Sequence, residues 1–236
     1  MSNKDELRLQ RNNTIINATS KRQEKALDKA VRDISVKLQE KFSGIRLQHV
    51  KQWRIKEIVE RLRKTYPDID FHYYFSNSAM KPDGGILSLV GKNGRAFPIL
   101  IAEKKNQGTN DLRALEGKPK QAKGNAIERL GKNVIGFRTA MRTESIFPFI
   151  CFGDGCDFAN DSTILDRVVT IAEFGKLNVE HLHNQGANNE FDRGSFFFRV
   201  HEWTADEMSQ IGYSIAEKSV FYYFSKYGED FFVPQS

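Results

Sequence analysis

The chain has 236 residues, of which 39% are hydrophobic and 28% charged, and its formal net charge is +6. This length fits one globular domain with elaborations, and the apolar content is high enough to exclude wholesale disorder. No apolar run approaches the roughly 20 residues of a membrane-spanning helix. Lys4, Asp5 and Glu6 argue against a signal peptide. Two cysteines, Cys151 and Cys156, are too few for a disulfide framework, so we expect a reducing, cytoplasmic compartment and no membrane partner.

Charge is distributed unevenly along the chain. Residues 1–64 hold 17 Lys and Arg against 8 Asp and Glu, and residues 101–142 hold 10 against 4. Residues 143–236 reverse this balance, with 6 against 15. Such segregation is typical of a polyanion-binding face beside a separate acidic body. A basic, solvated helix surface near the N-terminus would give the same composition, so the pattern alone leaves both interpretations open.

The N-terminal quarter predicts a polar arm followed by helices. Residues 1–16 are polar and lack periodicity, which indicates a flexible basic arm. From Ser20 to Lys64 apolar residues recur at helical spacing, and Gly44 is expected to separate two helices, the second of which ends before Pro67. The apolar positions are Ala26, Ala30, Ile34 and Leu38, and then Ile55, Ile58, Val59 and Leu62.

Strand and turn signals follow. Phe71–Phe75 is aromatic and strand-like, and the residues from Pro82 to Gly85 are typical of a turn. Ile86–Val90 predicts a strand, and the Asn-Gly pair within Lys92–Arg95 is a strong hairpin signal. Phe97–Ala102 then predicts a buried strand.

Helices and strands alternate in the remaining sequence, after a polar loop at 106–123. A helix is expected from Asn125 to Met141, and another begins at Thr204, where Glu207 completes a capping box, and extends to about Ile215. Helices flanking a mixed sheet make the fold α/β or α+β. The predicted strands are Ile146–Phe152, Arg167–Ala172 and Ser195–Val200.

Two carboxylates and a lysine lie beside the predicted hairpin. Residues i and i+2 of a strand point to the same face, so Glu103 and Lys105 project together, and the hairpin can bring Asp83 alongside them. Two carboxylates suit Mg²⁺, which polarises a phosphodiester and lowers the pKa of a water. Lys105 could orient the attacking water or stabilise developing charge. The alternative is the solvated end of a strand, because this spacing arises often in a highly charged chain.

The helix predicted from Asn125 has one apolar face and one polar face. Asn125, Arg129 and Lys132 lie on the polar face, where Asn can bond adenine in a bidentate manner and Arg can donate to purines or phosphate. The helix N-terminus also favours a polyanion. The alternative is ordinary solvation, with Asn125 as a cap and Glu128 paired with Lys132. The apolar stripe is formed by Ile127, Leu130, Val134, Phe137 and Met141.

Three segments together resemble the EcoRI family of type II restriction endonucleases, in order and in spacing. They are SNSAMKPDGGI (76–86), IAEKKNQG (101–108) and GNAIER (124–129), the last followed by Lys132 and Asn133. The stretch 144–150 extends the resemblance. The family implies an α/β fold with a PD-(D/E)xK core, a mixed β-sheet flanked by helices, and a homodimer. It also implies Mg²⁺-dependent cleavage of double-stranded DNA with 5′ overhangs.

The resemblance also implies an organisation and a partner system. We expect a single endonuclease domain over 17–236, with a helical part at 17–66, a catalytic and DNA-reading core at 67–160, and a core and dimer part at 161–236. A cognate DNA methyltransferase is expected in the same system, although not as a physical partner.

Site residues follow from the resemblance position by position. Asp83, Glu103 and the backbone carbonyl of Lys104 are the implied metal ligands, and Lys105 is the third catalytic residue. Lys123 stands where a relative that reads CAATTG has an arginine, so the outer base pair stays open. Glu128 matches a glutamate that orders the reading arginine across the dimer. The DNA-binding residues are Asn77, Ser78 and Lys81 near the scissile phosphate, Asn125, Ala126 and Arg129 facing a central AATT, and Lys132 and Asn133 on backbone phosphate.

Two other DNA-related functions are alternatives to a restriction endonuclease. A repair or junction nuclease would share the catalytic core but cut according to DNA structure, and the GNAIER helix argues against it. A DNA-binding protein without cleavage activity would have no use for the three catalytic residues. Cys151 and Cys156 do not match zinc-finger spacing with His181 and His183, so buried thiols are expected instead.

Overall fold

The computed structural model describes residues 16–107, 117, 124–160, 162–183 and 193–233. The predicted arm at 1–16, except Ile16, and most of the predicted loop at 106–123 lie outside this range. Among the described residues, no helix has both the length and the apolar character needed to cross a bilayer. The helices are α1 (Ile16–Lys41), α2 (Ile55–Thr65), α3 (Gly124–Ala140), α4 (Ile164–Ile171) and α5 (Ala205–Tyr227). The strands are β1 (Leu47–Val50), β2 (Trp53–Arg54), β3 (Ala79–Met80), β4 (Gly85–Val90), β5 (Ala96–Asn106), β6 (Phe149–Asp154) and β7 (Ser195–Arg199).

A mixed five-stranded sheet forms the centre of the described structure, in the order β1-β4-β5-β6-β7. The β1-β4 and β4-β5 pairs are antiparallel, whereas the β5-β6 and β6-β7 pairs are parallel. Strands β2 and β3 form a separate two-stranded ribbon. Helices cover both faces of the large sheet, which confirms the predicted α/β architecture.

Alternation along β5 distributes its side chains between two cores. Leu100 and Ala102 point to one face, where they belong to the core covered by α1 and α5. Ile101 points to the other face and packs with buried residues of α3 and α4, such as Leu130 and Val168. Because β5 is buried on both faces, it is a continuous apolar run up to Glu103.

Several predicted elements are confirmed, one of them with a different end. The five apolar positions of the α3 stripe are all buried, and the Asn-Gly turn places Gly94 at φ +78°. The Thr204 hydroxyl accepts a hydrogen bond from the Glu207 amide, and the Glu207 carboxylate accepts one from the Thr204 amide, so the capping box is present. Helix α5 continues to Tyr227, well beyond the predicted end.

Three predictions of local structure are wrong. Arg167–Ala172 lies in and directly after helix α4, because Ile164 and Val168 are one helical turn apart and both are buried against α3. Phe71–Phe75 is not a strand: it has no strand partner, and the Tyr74 side chain is 87% exposed. The stretch 42–54 is not helical, because Leu47–Val50 pairs with β4 as an edge strand.

Candidate active site

A tight turn places Asp83 beside the end of β5. The Gly85 amide donates to the Pro82 carbonyl at 3.0 Å, and the Gly84 amide donates to the Ala102 carbonyl at 2.9 Å. Gly85 has φ +78°, a conformation that favours glycine. A Cβ atom on Gly84 would lie 2.8 Å from the Ala102 Cβ atom, so only glycine allows this approach. The two glycines therefore hold the turn against β5.

Asp83, Glu103 and Lys105 meet at this point. The Lys105 Nζ atom lies 3.3 Å from the Asp83 Oδ2 atom and forms an ion pair with the Glu103 Oε1 atom. The Asp83 amide donates to the Glu103 carboxylate at 3.2 Å, and the Lys104 amide donates to the Asp83 carboxylate at 3.2 Å. The structure thus brings together the three residues expected to be catalytic, as the strand alternation and the hairpin predict.

Burial makes the charges of this cluster interdependent. Glu103 is only 1% exposed, and this burial, reinforced by the nearby Asp83, raises the pKa of its carboxyl group despite the opposing Lys105. Burial acts to lower the pKa of the Lys105 ammonium, but Glu103 and Asp83 outweigh it and raise that pKa above its ordinary value. Lys105 is therefore a cation at neutral pH, and it offsets part of the cost of burying Glu103.

The donor set fits a magnesium ion. Mg²⁺ is usually bound through one or two carboxylates together with substrate phosphates and waters, rather than in a cage made entirely of protein ligands. Asp83 and Glu103 supply two carboxylates, and a divalent cation would compensate the buried negative charge. The described residues contain no cluster of three or more His, Cys, Asp and Glu that could hold a metal.

Helix α3 directly contacts the cluster formed by Asp83, Glu103 and Lys105. The Asn133 side-chain amide donates to the Glu103 Oε1 atom at 3.2 Å. The family resemblance assigned Asn133 to a phosphate contact, and the structure places its side chain against the Glu103 carboxylate. On the outer side of α3, Glu128, Arg129 and Lys132 are exposed. Residues of the expected DNA-reading face are therefore open to solvent, while the same helix contacts the cluster.

The remaining expected DNA-binding residues lie near the turn or outside the described side chains. Asn77 and Lys81 are exposed, and the Ser78 carbonyl accepts a hydrogen bond from the Ile55 amide at 2.9 Å. The backbone of Asn125 and Ala126 lies in the first turn of α3, but their side chains are outside the described part, as is the whole of Lys123. In the hydrogen bonds described here, the side chains of Asn77, Ser78 and Lys81 contact none of the three candidate catalytic residues.

Sequence reasoning missed a buried ion pair behind the site. The Lys104 ammonium pairs with the Asp154 carboxylate, and both side chains are almost completely buried. The available signal was the alternation of β5, since a lysine between Glu103 and Lys105 must point to the opposite, apolar face. A lysine at such a position requires a buried acceptor, and Asp154 ends the neighbouring strand β6.

The expected buried thiol is found at Cys151. Cys151 is fully buried and faces Glu103 in the β5-β6 register. Burial raises the pKa of the Cys151 thiol well above its ordinary value, so it is protonated and packs as a small apolar side chain. The side chain of Cys156 lies outside the described part of the chain.

Known proteins match most of the chain. The family model for restriction endonuclease EcoRI matches residues 10–164. The type II restriction enzyme RsrI of Cereibacter sphaeroides is 27% identical over 241 residues, which cover 88% of this chain and 87% of that enzyme. The type II restriction enzyme EcoRI of Escherichia coli is 32% identical over 181 residues, which cover 72% of this chain and 63% of that enzyme. The matched range contains the Asp83, Glu103 and Lys105 cluster together with helix α3, and the chain belongs to the EcoRI family of restriction endonucleases.

Proposed function

We propose that this protein is a homodimeric type II restriction endonuclease that uses Mg²⁺ to cleave both strands of DNA. The proposed site is a palindrome with AATT at its centre, and the proposed products carry 5′ overhangs. The observation that carries this proposal is the meeting of Asp83, Glu103 and Lys105 at one end of the sheet. Family membership supports the reaction class.

Each residue of the cluster has a distinct role in the proposed reaction. The Asp83 and Glu103 carboxylates, with the backbone carbonyl of Lys104, would hold Mg²⁺, which supplies Lewis-acid stabilisation to the phosphodiester. Lys105 is held as a cation by both carboxylates, and its ammonium group can orient a water or stabilise charge that develops on the phosphate oxygens. Asn77, Ser78 and Lys81 lie upstream of the turn that carries Asp83 and are proposed to contact the DNA backbone at the scissile phosphate.

Helix α3 is the proposed reading element. Asn125, Ala126 and Arg129 are proposed to face the bases, while Lys132 and Asn133 serve the backbone, with the Asn133 contact to Glu103 linking base reading to catalysis. Two copies related by a two-fold axis must read identical half-sites, which accounts for a palindrome. Lys123 is proposed for the outer base pair, whose identity stays open.

Digestion of a phage DNA tests the reaction class. With Mg²⁺ the protein is expected to give discrete bands, and sequencing the fragment ends gives the site and the overhang. A smear without a fixed site indicates the repair or junction nuclease. Absence of cutting, with binding retained, indicates the non-cleaving DNA-binding protein.

Selection of cleaved sites from a random DNA library tests the reading helix. Wild-type sites are expected to contain AATT. Asn125→Ala removes a proposed bidentate adenine contact and should reduce discrimination by about 1–3 kcal/mol per half-site. Lys132→Ala is the matched control on the same helix, because removing an ammonium group that binds phosphate weakens binding to all sequences almost equally. Wild-type sites that lack AATT would refute the assignment of the reading helix.

A further inference from the structure

The Lys104–Asp154 pair lies directly behind the catalytic cluster, on the opposite face of the sheet. Side chains on β5 alternate, so Glu103 and Lys105 point towards α3 whereas Lys104 points towards α1. The side chain of Lys104 is 3% exposed and that of Asp154 is 1% exposed. This pair therefore has no access to DNA or to bulk solvent.

Several parts of the fold converge on the Asp154 carboxylate. Its Oδ1 atom accepts hydrogen bonds from the Gln23 side chain on α1 at 3.0 Å and from the Asn106 side chain on β5 at 2.7 Å. Its Oδ2 atom accepts one hydrogen bond from the Lys104 ammonium group and another from the Trp203 backbone amide, the second at 3.1 Å. Asp154 is thus fixed by α1, β5 and the segment that precedes α5.

Stability alone does not explain this arrangement. Taking two charges out of water has a large desolvation cost, and replacing a buried ion pair with apolar side chains of similar size is often neutral or stabilising. Phe152 and Trp203, which are in ring contact, lie in the same core. Asp154 also accepts hydrogen bonds from Gln23, Asn106 and the Trp203 amide, but these contacts do not require a lysine at position 104, so the Lys104 charge calls for another role.

The backbone of Lys104 connects the pair to the proposed metal site. The Lys104 amide donates to the Asp83 Oδ2 atom, and its carbonyl is the proposed third metal ligand. Because the side chain is held from behind by Asp154, rotation of this part of the strand is restricted. The same restriction sets the directions of Glu103 and Lys105, which flank Lys104.

We propose that Lys104 and Asp154 are positioning residues, whose buried ion pair locks the β5 backbone in the orientation that Asp83 and Glu103 need to bind the divalent metal. The inference rests on the proposed function, since it assumes that these carboxylates form a metal site. Outer groups that orient metal ligands typically account for about 10- to 100-fold in metal affinity or activity. We expect an effect of this size.

The test replaces both charges with apolar groups of similar shape, as Lys104→Met together with Asp154→Leu. Mn²⁺ alone is the probe, and its binding to the free protein is followed by the decrease of the electron paramagnetic resonance signal of free Mn²⁺. The matched control is Tyr223→Phe, which removes a buried hydrogen bond to the Pro98 carbonyl near the other end of β5. Asp83→Ala is measured in parallel to show which binding belongs to the proposed site.

The double variant is expected to fold but to melt below the wild-type temperature, because Gln23, Asn106 and the Trp203 amide lose their acceptor. It should bind DNA without metal as the wild type does and bind Mn²⁺ about 10- to 100-fold more weakly. Its cleavage rate should recover partly at saturating Mn²⁺, which a merely structural defect would not produce. Tyr223→Phe should bind Mn²⁺ with wild-type affinity. An equal reduction of affinity in Tyr223→Phe, or wild-type affinity in the folded double variant, overturns the inference.

A second variant decides the matter if the double variant does not fold. Asp154→Asn keeps the size of the side chain and an oxygen acceptor for the Trp203 amide, but removes the charge that holds Lys104. Weaker Mn²⁺ binding in this variant supports the inference, and unchanged binding overturns it. If Asp83→Ala binds Mn²⁺ as the wild type does, the proposed metal site itself is wrong and the inference fails with it.

Discussion

At the scale of single residues, Glu103 shows how opposing effects act on a carboxyl group that is buried inside the protein. Its carboxylate accepts hydrogen bonds from the Asp83 amide, the Asn133 amide and the Lys105 ammonium. Burial favours the neutral acid and raises the pKa, whereas these donors favour the anion. A cation in or near the site therefore stabilises the charged form that metal binding requires.

Removing any member of the cluster is expected to abolish cleavage but not DNA binding. Asp83→Asn, Glu103→Gln and Lys105→Met each remove a group that stabilises the transition state more than the complex, so the cleavage rate should fall by at least about 10²-fold. Without metal, Asp83→Asn should bind DNA at least as tightly as the wild type, because the variant has one negative charge fewer near phosphate. Single-turnover cleavage and gel-shift binding measure the two quantities.

A lysine outside the cluster provides the control for this prediction. Lys92 is exposed in the β4-β5 hairpin turn, and its alanine variant should cleave at the wild-type rate. Wild-type cleavage by any of the three cluster variants would show that the catalytic assignment is wrong.

At the scale of elements, helix α3 depends on its buried stripe for its position. Leu130 is fully buried between the sheet and α4, whereas Ile135 on the same helix is 59% exposed. Leu130→Ala should lower the free energy of unfolding by about 2–5 kcal/mol, because it leaves a cavity in the core. Ile135→Ala should change it by less than about 0.5 kcal/mol. Urea unfolding followed by circular dichroism compares the two, and equal effects would contradict the assignment of the buried face.

The N-terminus of α5 should be sensitive to acid. A hydrogen bond from Arg199, followed by one from the Thr204 amide, lowers the pKa of Glu207 to about 2 from an ordinary value of 4.5. The Glu207 contribution is therefore complete above about pH 4.5 and is lost as the pH falls towards 2. Glu207→Gln should be less stable than the wild type at pH 7, and the difference should shrink below pH 4. A difference independent of pH would show that the charge of Glu207 is not responsible. The effect is modest because Glu207 is partly exposed.

At the scale of the whole molecule, part of the basic N-terminal charge is paired within the chain. Ion pairs join α1 to the acidic C-terminal part, and they connect Arg22 with Glu202, Lys29 with Asp206 and Lys41 with Glu217. Some of the opposite charges that are separated along the sequence therefore form ion pairs that hold α1 against α5. The exposed cations of α3, Arg129 and Lys132, have no such acidic partner in the ion pairs described here, which favours α3 for contact with DNA.

Salt should weaken DNA binding steeply. A dimer that neutralises about six to ten phosphates should show a log–log slope on the order of −5 to −10 between affinity and salt concentration. Lys132→Ala should reduce the magnitude of that slope by about 1 for each phosphate that Lys132 neutralises. Lys41→Ala is the control, because Lys41 is paired with Glu217, and it should leave the slope unchanged. A wild-type slope near zero would refute DNA binding through phosphate contacts.

Local patterns in the sequence determined much of the fold and the positions of the candidate catalytic residues. The α3 stripe, the Asn-Gly hairpin and the capping box depend on residues within a few positions of each other, so their spacing contains the required information. The meeting of Asp83, Glu103 and Lys105 was also predictable, because strand alternation and one hairpin relate the three positions, whereas their catalytic role was predicted from the family resemblance.

Contacts between distant parts of the chain determined the features that local patterns did not predict, namely helix α4 and the contacts of Lys104 and Asn133. The β-branched residues of Val168–Ile171 favour a strand locally, but burial of one helical face against α3 outweighs that preference. Lys104 meets Asp154 only because β5 and β6 are parallel neighbours, and Asn133 meets Glu103 only because α3 covers that face of the sheet. A one-dimensional pattern shows that a buried lysine needs a partner, but only the packing of the sheet and helices determines which residue that partner is.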